Sequence, residues 1–298
     1  MPRETAFSHG SEDLRQTPAV VLVHFGALEP TLRCLRSLVA VETSQHDVWI
    51  VNHGSPADLA TACAELHPRV HLVDNPTNPG FGAGCNLGAE RAFAAGACGV
   101  WFLNNDAEVT EPVLGELRAL AEAHPQVGLW GTHQRDGDRR LGADQQPDWF
   151  ATGLSPFTPP PGLQALGVRE TLSGASIYIS KAQWERLGPW PEEHFLYWED
   201  ADWCRRAHRL GLGLVLVDRE VRHPRGTTTG RRSPLTTFYS VRNLFRVHTQ
   251  CCPEDRVGRW KLATHLLQKR FFQGRWSMLL PTWRGIRAAG LGGRDPRY

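Results

Sequence analysis

Two short acidic stretches lie about a hundred positions apart in this chain. Leu103-Asn104-Asn105-Asp106 closes an apolar run, Gly99-Val100-Trp101-Phe102-Leu103, that has the character of a buried strand. Tyr197-Trp198-Glu199-Asp200-Ala201-Asp202 opens a segment whose charges recur at helical spacing. A carboxylate at the carboxyl end of a strand can hold a metal ion on a phosphate through hard oxygen ligands. One at a helix start, where the dipole favours negative charge, can accept a proton from a hydroxyl. Together they point to chemistry on a diphosphate-activated donor.

Asp106 is the leading candidate for a divalent cation, with Asn104 set to bond a ribose or a metal-bound water; helix capping is its plain structural role. Asp202 reaches Arg205 and Arg206 at i+3 and i+4, so the spacing predicts a structural ion pair there. Asp200 is one step out of that register and is expected to face the cleft as an ionised acceptor. Tyr197 and Trp198 beside it could form an apolar wall for a sugar ring. His223 follows a strand in a basic loop with Arg222, Arg225, Arg231 and Arg232, a setting suited to a diphosphate and a transition divalent ion. Asn52 ends another strand, where its amide could meet a base or ribose, or simply make an Asx-turn. The run Asn78-Pro79-Gly80-Phe81-Gly82-Ala83-Gly84-Cys85-Asn86-Leu87-Gly88 is a glycine-rich turn entering a helix, whose free N–H groups suit an anion. It has neither the Gly-Lys-Ser/Thr of a P-loop nor the spacing and position of a dinucleotide fingerprint.

The elements that must carry these groups alternate. Val20-Val21-Leu22-Val23, Val48-Trp49-Ile50-Val51 and Val70-His71-Leu72-Val73 read as strands, and the fourth ends at Leu103. Leu28, Leu32, Leu35, Leu38 and Val39 recur at helical spacing, and Pro56 is placed to open a second helix running to about residue 66. Such alternation predicts right-handed βαβ units and a mainly parallel sheet covered on both faces, with ligands beyond the strands' carboxyl ends. The clusters at 24–26, 52–54, 75–84 and 104–106 all fall on that edge. Residues 134–167 lose periodicity and are expected to form hairpins and a mobile loop. Residues 172–180 and 214–217 read as strands, and the pattern is helical from Pro234 onward.

With 298 residues, 41% hydrophobic and 21% charged, the chain has material for one large α/β domain with appendages. No apolar stretch approaches the roughly 20 residues that span a bilayer. Residues 1–17 are polar without an apolar core, so they read as a disordered lead-in rather than a secretion signal. Seven scattered cysteines without a C-x-x-C argue against a zinc or disulfide framework and for a reducing compartment. From Arg242 onward there are twelve Lys/Arg and three Asp/Glu, against 21 and 28 in the rest, so a tail of +9 sits on a body of −7. Charge alone fits an anionic partner: lipid head groups, a phosphorylated acceptor or nucleic acid.

In order and spacing, motifs along the chain resemble glycosyltransferase family 2, inverting nucleotide-sugar transferases of GT-A-type fold, and within it the rhamnosyltransferase-like branch. The matching stretches are Val51-Asn52-His53-Gly54-Ser55, the glycine-rich turn, 102–109, Ser173-Gly174-Ala175, 195–206, His223-Pro224-Arg225-Gly226 and Tyr239-Ser240-Val241-Arg242-Asn243. The resemblance implies a Rossmann-like α/β/α sandwich over residues 18–245, followed by a basic amphipathic helical tail over 246–298. It implies Asp200 as catalytic base, and Asp106 and His223 at a Mg²⁺ or Mn²⁺ ion. His24, Phe25, Asn52, Asn78, Gly82, Asn86, Asn104, Asn105 and Asp106 then fall on the donor side, and Gly174, Trp198 and Glu199 on the acceptor side. Two departures stand out: Asn52 where the family usually has Asp, and Asn104 in place of the first acid of a strict Asp-x-Asp motif.

The resemblance implies a nucleoside-diphosphate sugar as donor, dTDP-rhamnose at branch level, and a glycan or polyprenyl-linked acceptor in cell-surface polysaccharide synthesis. It implies no nucleic acid partner and a cytoplasmic location at the inner face of the membrane. The tail, with Trp260, Leu266, Leu267, Phe271, Phe272, Trp276, Leu279 and Leu280, is expected either on a membrane surface or packed on the core at a homodimer contact. The rival readings are a sugar-nucleotide pyrophosphorylase, disfavoured because Phe25-Gly26-Ala27-Leu28 offers no cation, and a catalytically degenerate nucleotide-sugar-binding scaffold, which Asn52 and Asn104 would favour.

Overall fold

The computed structural model describes residues 17–54, 59–141, 147–154, 157–159, 163, 167–224 and 233–291. The lead-in before Thr17, Pro56 with its proposed helix start, and Arg225, Arg231 and Arg232 lie outside the described residues. The expected alternation is present. β1 (Ala19–His24), α1 (Leu28–Val41), β2 (Asp47–Asn52), α2 (Leu59–Leu66), β3 (Val70–Asp74), α3 (Phe81–Ala94) and β4 (Gly99–Asn104) follow one another in the first third. Then come β5 (Glu108–Val109), α4 (Leu114–Ala123), β6 (Val127–Asp136), β7 (Arg139–Leu141), β8 (Gly167–Val168), β9 (Ser176–Ser180), α5 (Lys181–Leu187), α6 (Glu199–Arg209) and β10 (Gly213–Arg222). Three helices close the described chain: α7 (Pro234–Cys251), α8 (Arg256–Phe272) and α9 (Leu279–Leu291).

Among the described residues the strands form one sheet in the order β3-β2-β1-β4-β9-β6-β10-β5. β3, β2, β1 and β4 are mutually parallel, as are β6 and β10. β9 runs antiparallel between β4 and β6 and joins the two parallel blocks. Residues 172–180 therefore supply a shorter strand than their pattern predicts. Ser176 donates its N–H to Ser173 O at 3.2 Å, so a turn occupies 173–176 and the strand starts after it. β6 and β7 form the hairpin anticipated at the start of the irregular stretch.

The sheet's two faces carry two cores, sorted by the strand's period of two. Val20 and Leu22 pack with α1, α2 and α4, through Leu35, Leu38, Leu114 and Leu117. Val21 and Val23 face the other way, among Cys85, Ala89, Phe102, Trp190 and Trp203 under α3 and α6. In β4, Trp101 and Phe102 are fully buried on opposite faces, and each large side chain removed from water contributes about 1.5–3 kcal/mol. Two glycines of the turn-and-helix run let α3 lie close on this sheet: a Cβ at Gly84 would sit 2.7 Å from His53 Nε2, and one at Gly88 2.5 Å from Val21 Cγ1.

α7 begins with a Ser233 cap on Thr236 N–H and Pro234 in its first turn. It runs unbroken through residue 245, the boundary expected between domain and tail, and packs extensively on α9.

Candidate active site

The strand register lines up the polar residues at the carboxyl ends of β3, β2, β1 and β4. Asp74 pairs with Asn52, Asn52 with His24, and Val23 with Asn104. Asn52 Nδ2 donates to Asp74 Oδ1 at 2.8 Å, so a carboxylate stands beside the asparagine after all, supplied by the neighbouring strand. His24 is fully buried, with Nδ1 2.6 Å from Thr31 Oγ1, while Phe25 after it is half exposed. Asn105 donates to the same Thr31 hydroxyl at 2.9 Å, tying the ends of β1 and β4 to α1. Burial lowers the pKa of both His24 and His53, leaving this part of the edge without positive charge at neutral pH.

After β4 the chain turns, Ala107 N–H donating to Asn104 O at 3.0 Å, and Asp106 is buried against the end of β10. His223 Nε2 lies 3.2 Å from Asp106 Oδ1 and 3.1 Å from Asn104 Nδ2. On the far side of the ring, Nδ1 is 3.2 Å from Gln134 Oε1. An amide oxygen only accepts, so Nδ1 donates to it, and Nε2 is the ring atom that faces Asp106. A lone pair and a carboxylate oxygen at this separation are favourable only with a proton or cation between them. One carboxylate oxygen and one imidazole nitrogen are donors that suit a small divalent ion, with the Asn104 amide beside them.

Asp200 sits in the first turn of α6. Its Oδ2 accepts from Gly174 N–H at 2.9 Å and its Oδ1 from Ala201 N–H at 2.8 Å. Ala175, next to Gly174, accepts the backbone N–H of Asn104 at 3.0 Å. Two hydrogen bonds and one peptide unit thus connect the Asp200 carboxylate to the strand end that carries Asp106. The two acidic stretches meet at one edge of the sheet.

The loop before Asp200 is strained. Phe195, Tyr197 and Trp198 have φ of 62°, 67° and 74°, left-handed values that cost non-glycine residues about 1–3 kcal/mol each. Its neighbours hold it there. Asn243 Nδ2 on α7 points at the carbonyls of His194, Leu196 and Tyr197, at 2.7, 2.9 and 2.8 Å. Arg242 donates to Glu193 O and His194 O. Phe81 N–H bonds Phe195 O at 2.9 Å, and Gly80, at φ 121°, leaves room for that carbonyl where a Cβ would lie 2.5 Å away.

Several expected residues turn out to hold the scaffold. Asn86 is buried, giving Nδ2 to Trp190 O and Glu192 Oε1 and accepting Trp190 N–H, which engages both ends of its amide with the 190–192 segment. Gly82 permits the close approach of Pro191 O, 2.8 Å from where a Cβ would be. Asn78 has φ 43° in the turn before α3. Trp198 stacks on Trp149, with ring centroids 6.2 Å apart and planes 18° apart. The ion pair expected between Asp202 and Arg205 or Arg206 is replaced: Asp202 Oδ2 bonds His194 Nε2 at 2.8 Å. Arg205 serves Phe150 O and Thr152 O, and Arg206 serves Pro189 O at 2.7 Å. Glu193, beside this pair, brings its carboxylate within 4.8 Å of the other two donor atoms. Sequence reasoning gave no role to Gln134, Asp74, Trp149, Arg242 or Asn243; only the last two lay in a quoted motif.

Glu199 is buried beside Asp200, and its pKa rises from 4.5 to about 8, through desolvation first and the Asp200 charge second. Burial and the adjacent Asp200 charge thus favour the neutral form of the Glu199 carboxyl. A raised carboxyl pKa gives stability that is fully present below about 4.5 and is lost as pH climbs through about 8. Urea unfolding across that window should show the wild type weakening relative to Glu199→Gln by a few kcal/mol, taking roughly 1.4 kcal/mol per unit. Parallel curves for the two proteins would contradict the buried neutral carboxyl.

An α/β sheet covered on both faces, with Asp106 and Asp200 held near its carboxyl edge, has the architecture of the GT-A fold. Solved structures share this fold. Staphylococcus aureus TarS 1-349 in complex with UDP-GlcNAc superposes with TM-score 0.55 and 14% identity, covering 92% of this chain and 81% of that one. The mannosyltransferase PcManGT of Pyrobaculum calidifontis, in complex with GDP-Man and Mn²⁺, gives 0.55 and 14%, covering 94% and 76%. The chain matches glycosyl transferase family 2 over residues 19–182, more than half its length, and belongs to that family: it is a glycosyltransferase. It is 26% identical over 227 residues to the N-acetylglucosaminyl-diphospho-decaprenol L-rhamnosyltransferase of Mycobacterium tuberculosis, covering 67% of this chain and 73% of that one. To the dTDP-rhamnosyl transferase RfbF of Shigella flexneri it is 22% identical over 241 residues, covering 72% and 75%.

Proposed function

We propose that this protein moves a sugar from a nucleoside diphosphate, dTDP-rhamnose being the leading donor, to a hydroxyl of a glycan or polyprenyl-linked acceptor in cell-surface polysaccharide synthesis. The connection Asp200–Gly174–Ala175–Asn104 is the observation that supports this reading, because it ties Asp200 to the strand end that leads to Asp106. Asp106 and His223 are the residues that would hold Mg²⁺ or Mn²⁺, with Asn104 beside them. A divalent ion there would supply charge neutralisation for the departing diphosphate. Asp200 takes the proton of the acceptor hydroxyl while that oxygen bonds the anomeric carbon and the bond from that carbon to the diphosphate oxygen breaks. With one carboxylate and one displacement, the anomeric configuration inverts.

Asn52 and Asp74 together offer an amide and a carboxylate to the base or ribose, with Phe25 exposed beside them. Gly174 positions the base, and Trp198 with Trp149 borders the acceptor side. A cytoplasmic site facing a membrane suits a lipid-linked acceptor, and the names of the curated relatives support both the sugar and the acceptor class.

The test is a donor-consumption screen across nucleotide sugars with Mg²⁺ or Mn²⁺ and a polyprenyl-diphosphate glycan as acceptor. Transfer from one donor with inverted product is the expected result. Failure to bind or consume any donor overturns the reading in favour of a non-catalytic scaffold, and pyrophosphate exchange in place of transfer would favour a pyrophosphorylase.

A further inference from the structure

We propose that α8, the turn after it and the outer face of α9 form a docking surface for the head-group layer of a bilayer containing anionic phospholipid. The surface is apolar where water should be. Eleven large hydrophobic side chains are exposed among the described residues, and seven of them fall between 257 and 283. No residue of the 17-residue α8 is buried, although it carries Trp260 and ends in Phe271-Phe272. Trp260, Phe272 and Trp276 are 74%, 81% and 63% exposed.

These groups are contiguous at the α8–α9 corner, where the Phe271 ring lies 5.6 Å from Phe272 and 4.9 Å from Trp276. The stripe continues on α9. Met278, Thr282 and Ala288 are buried towards α7, which leaves Leu280, Trp283, Arg284 and Arg287 sharing the outward face at i, i+3, i+4 and i+7. Patches of this size and continuity mark a binding surface rather than chance exposure.

Charge selects the occupant. Between 256 and 291 the chain has eight Lys/Arg and no Asp or Glu. A second copy meeting this face to face would set eight cations against eight, so an isologous dimer is disfavoured. An anionic leaflet complements them, since juxtamembrane cations are attracted to its negative surface potential. Tryptophan and phenylalanine beside arginine and lysine is the combination that settles at the boundary between head groups and acyl chains. No described helix is long and apolar enough to cross a membrane, so the element lies on the surface.

The surface is also geared to the site. α9 seats closely on α7 at Gly285, where a Cβ would lie 2.8 Å from Phe238 O, and α7 holds the loop before Asp200 through Asn243. That this presents a lipid-linked acceptor to Asp200 rests on the proposed function; the docking itself does not.

The test uses the full chain without donor or acceptor, in flotation with vesicles of phosphatidylcholine alone or with about 30 mol % phosphatidylglycerol, at about 0.1 M and 0.5 M salt. Binding at least tenfold tighter to the anionic vesicles, weakened by salt and accompanied by a blue shift of tryptophan emission, is expected. The triple variant Trp260→Ser, Phe272→Ser, Trp276→Ser should lose at least tenfold in binding with an unchanged unfolding midpoint, as should the double variant Arg284→Gln, Arg287→Gln. Equal or absent binding to both vesicle types overturns the proposal. So does a dimer by light scattering that the triple variant dissociates while vesicle binding is absent, which would make the face a contact between copies. Neither result bears on the donor-consumption screen, so the two proposals fail separately.

Discussion

Asp200→Asn removes sugar transfer, lowering kcat by about 10²–10⁴-fold, the contribution typical of a positioned general base. Nucleoside-diphosphate binding should change by less than about twofold, because the proposed mechanism puts Asp200 at the acceptor hydroxyl and the donor on residues of other strands. The substitution is not isosteric in hydrogen bonding. Asp200 accepts one N–H on each oxygen, from Gly174 and from Ala201, and an asparagine keeps only one of those acceptors. A modest fall in the unfolding midpoint therefore accompanies the loss, and Asp200→Glu, which keeps the charge but displaces it, should also be inactive. Single-turnover kinetics with saturating donor, alongside calorimetry for binding, separates these effects. Wild-type turnover in Asp200→Asn would remove this residue as the base.

The second large effect concerns Asp106. Changing it to Asn takes away the one carboxylate of the Asp106–His223 pair, and the imidazole then faces two amides, its own neighbour Asn104 and the new side chain. Mn²⁺-dependent binding of a nucleoside diphosphate should fall by at least about 100-fold, beyond the 10–100-fold typical of losing a supporting residue around a metal. Binding measured with a chelator present should be the same in both proteins. His223→Gln is expected to be milder, since it keeps a neutral acceptor at that place. If Mn²⁺ strengthens binding equally in wild type and Asp106→Asn, the cation is held elsewhere.

The parts of this architecture that the sequence announces are those where local pattern and tertiary demand agree. β1, β2 and β4 are β-branched or aromatic runs buried on both sides, so their composition alone marks them as central strands. The polar cluster after β4 was legible for the same reason, since it directly follows such a run. Partner choice was not legible. Spacing assigned Asp202 to Arg205 and Arg206, yet both arginines reach carbonyls of distant loops, and His194 takes the aspartate.

The glycine-rich turn suits an anion by its sequence, and in the structure Gly82, Gly84 and Gly88 also accommodate close contacts with Pro191, His53 and Val21. Helix packing on a sheet and ligand approach ask for the same residue, and one sequence cannot separate them. Nothing local marks Phe195, Tyr197 and Trp198 as left-handed either; Asn243, some forty-five residues further on in α7, helps hold that conformation.

That grip has a consequence for how this molecule can be dissected. A truncation at residue 245, which would look like clean removal of an appendage, cuts α7 two residues beyond the asparagine that keeps the pre-Asp200 loop in its strained shape. The remaining turns of α7 and the seat of α9 at Gly285 are what hold that asparagine in place. The three C-terminal helices thus brace the loop before Asp200, and a working minimal fragment is expected to extend through α9.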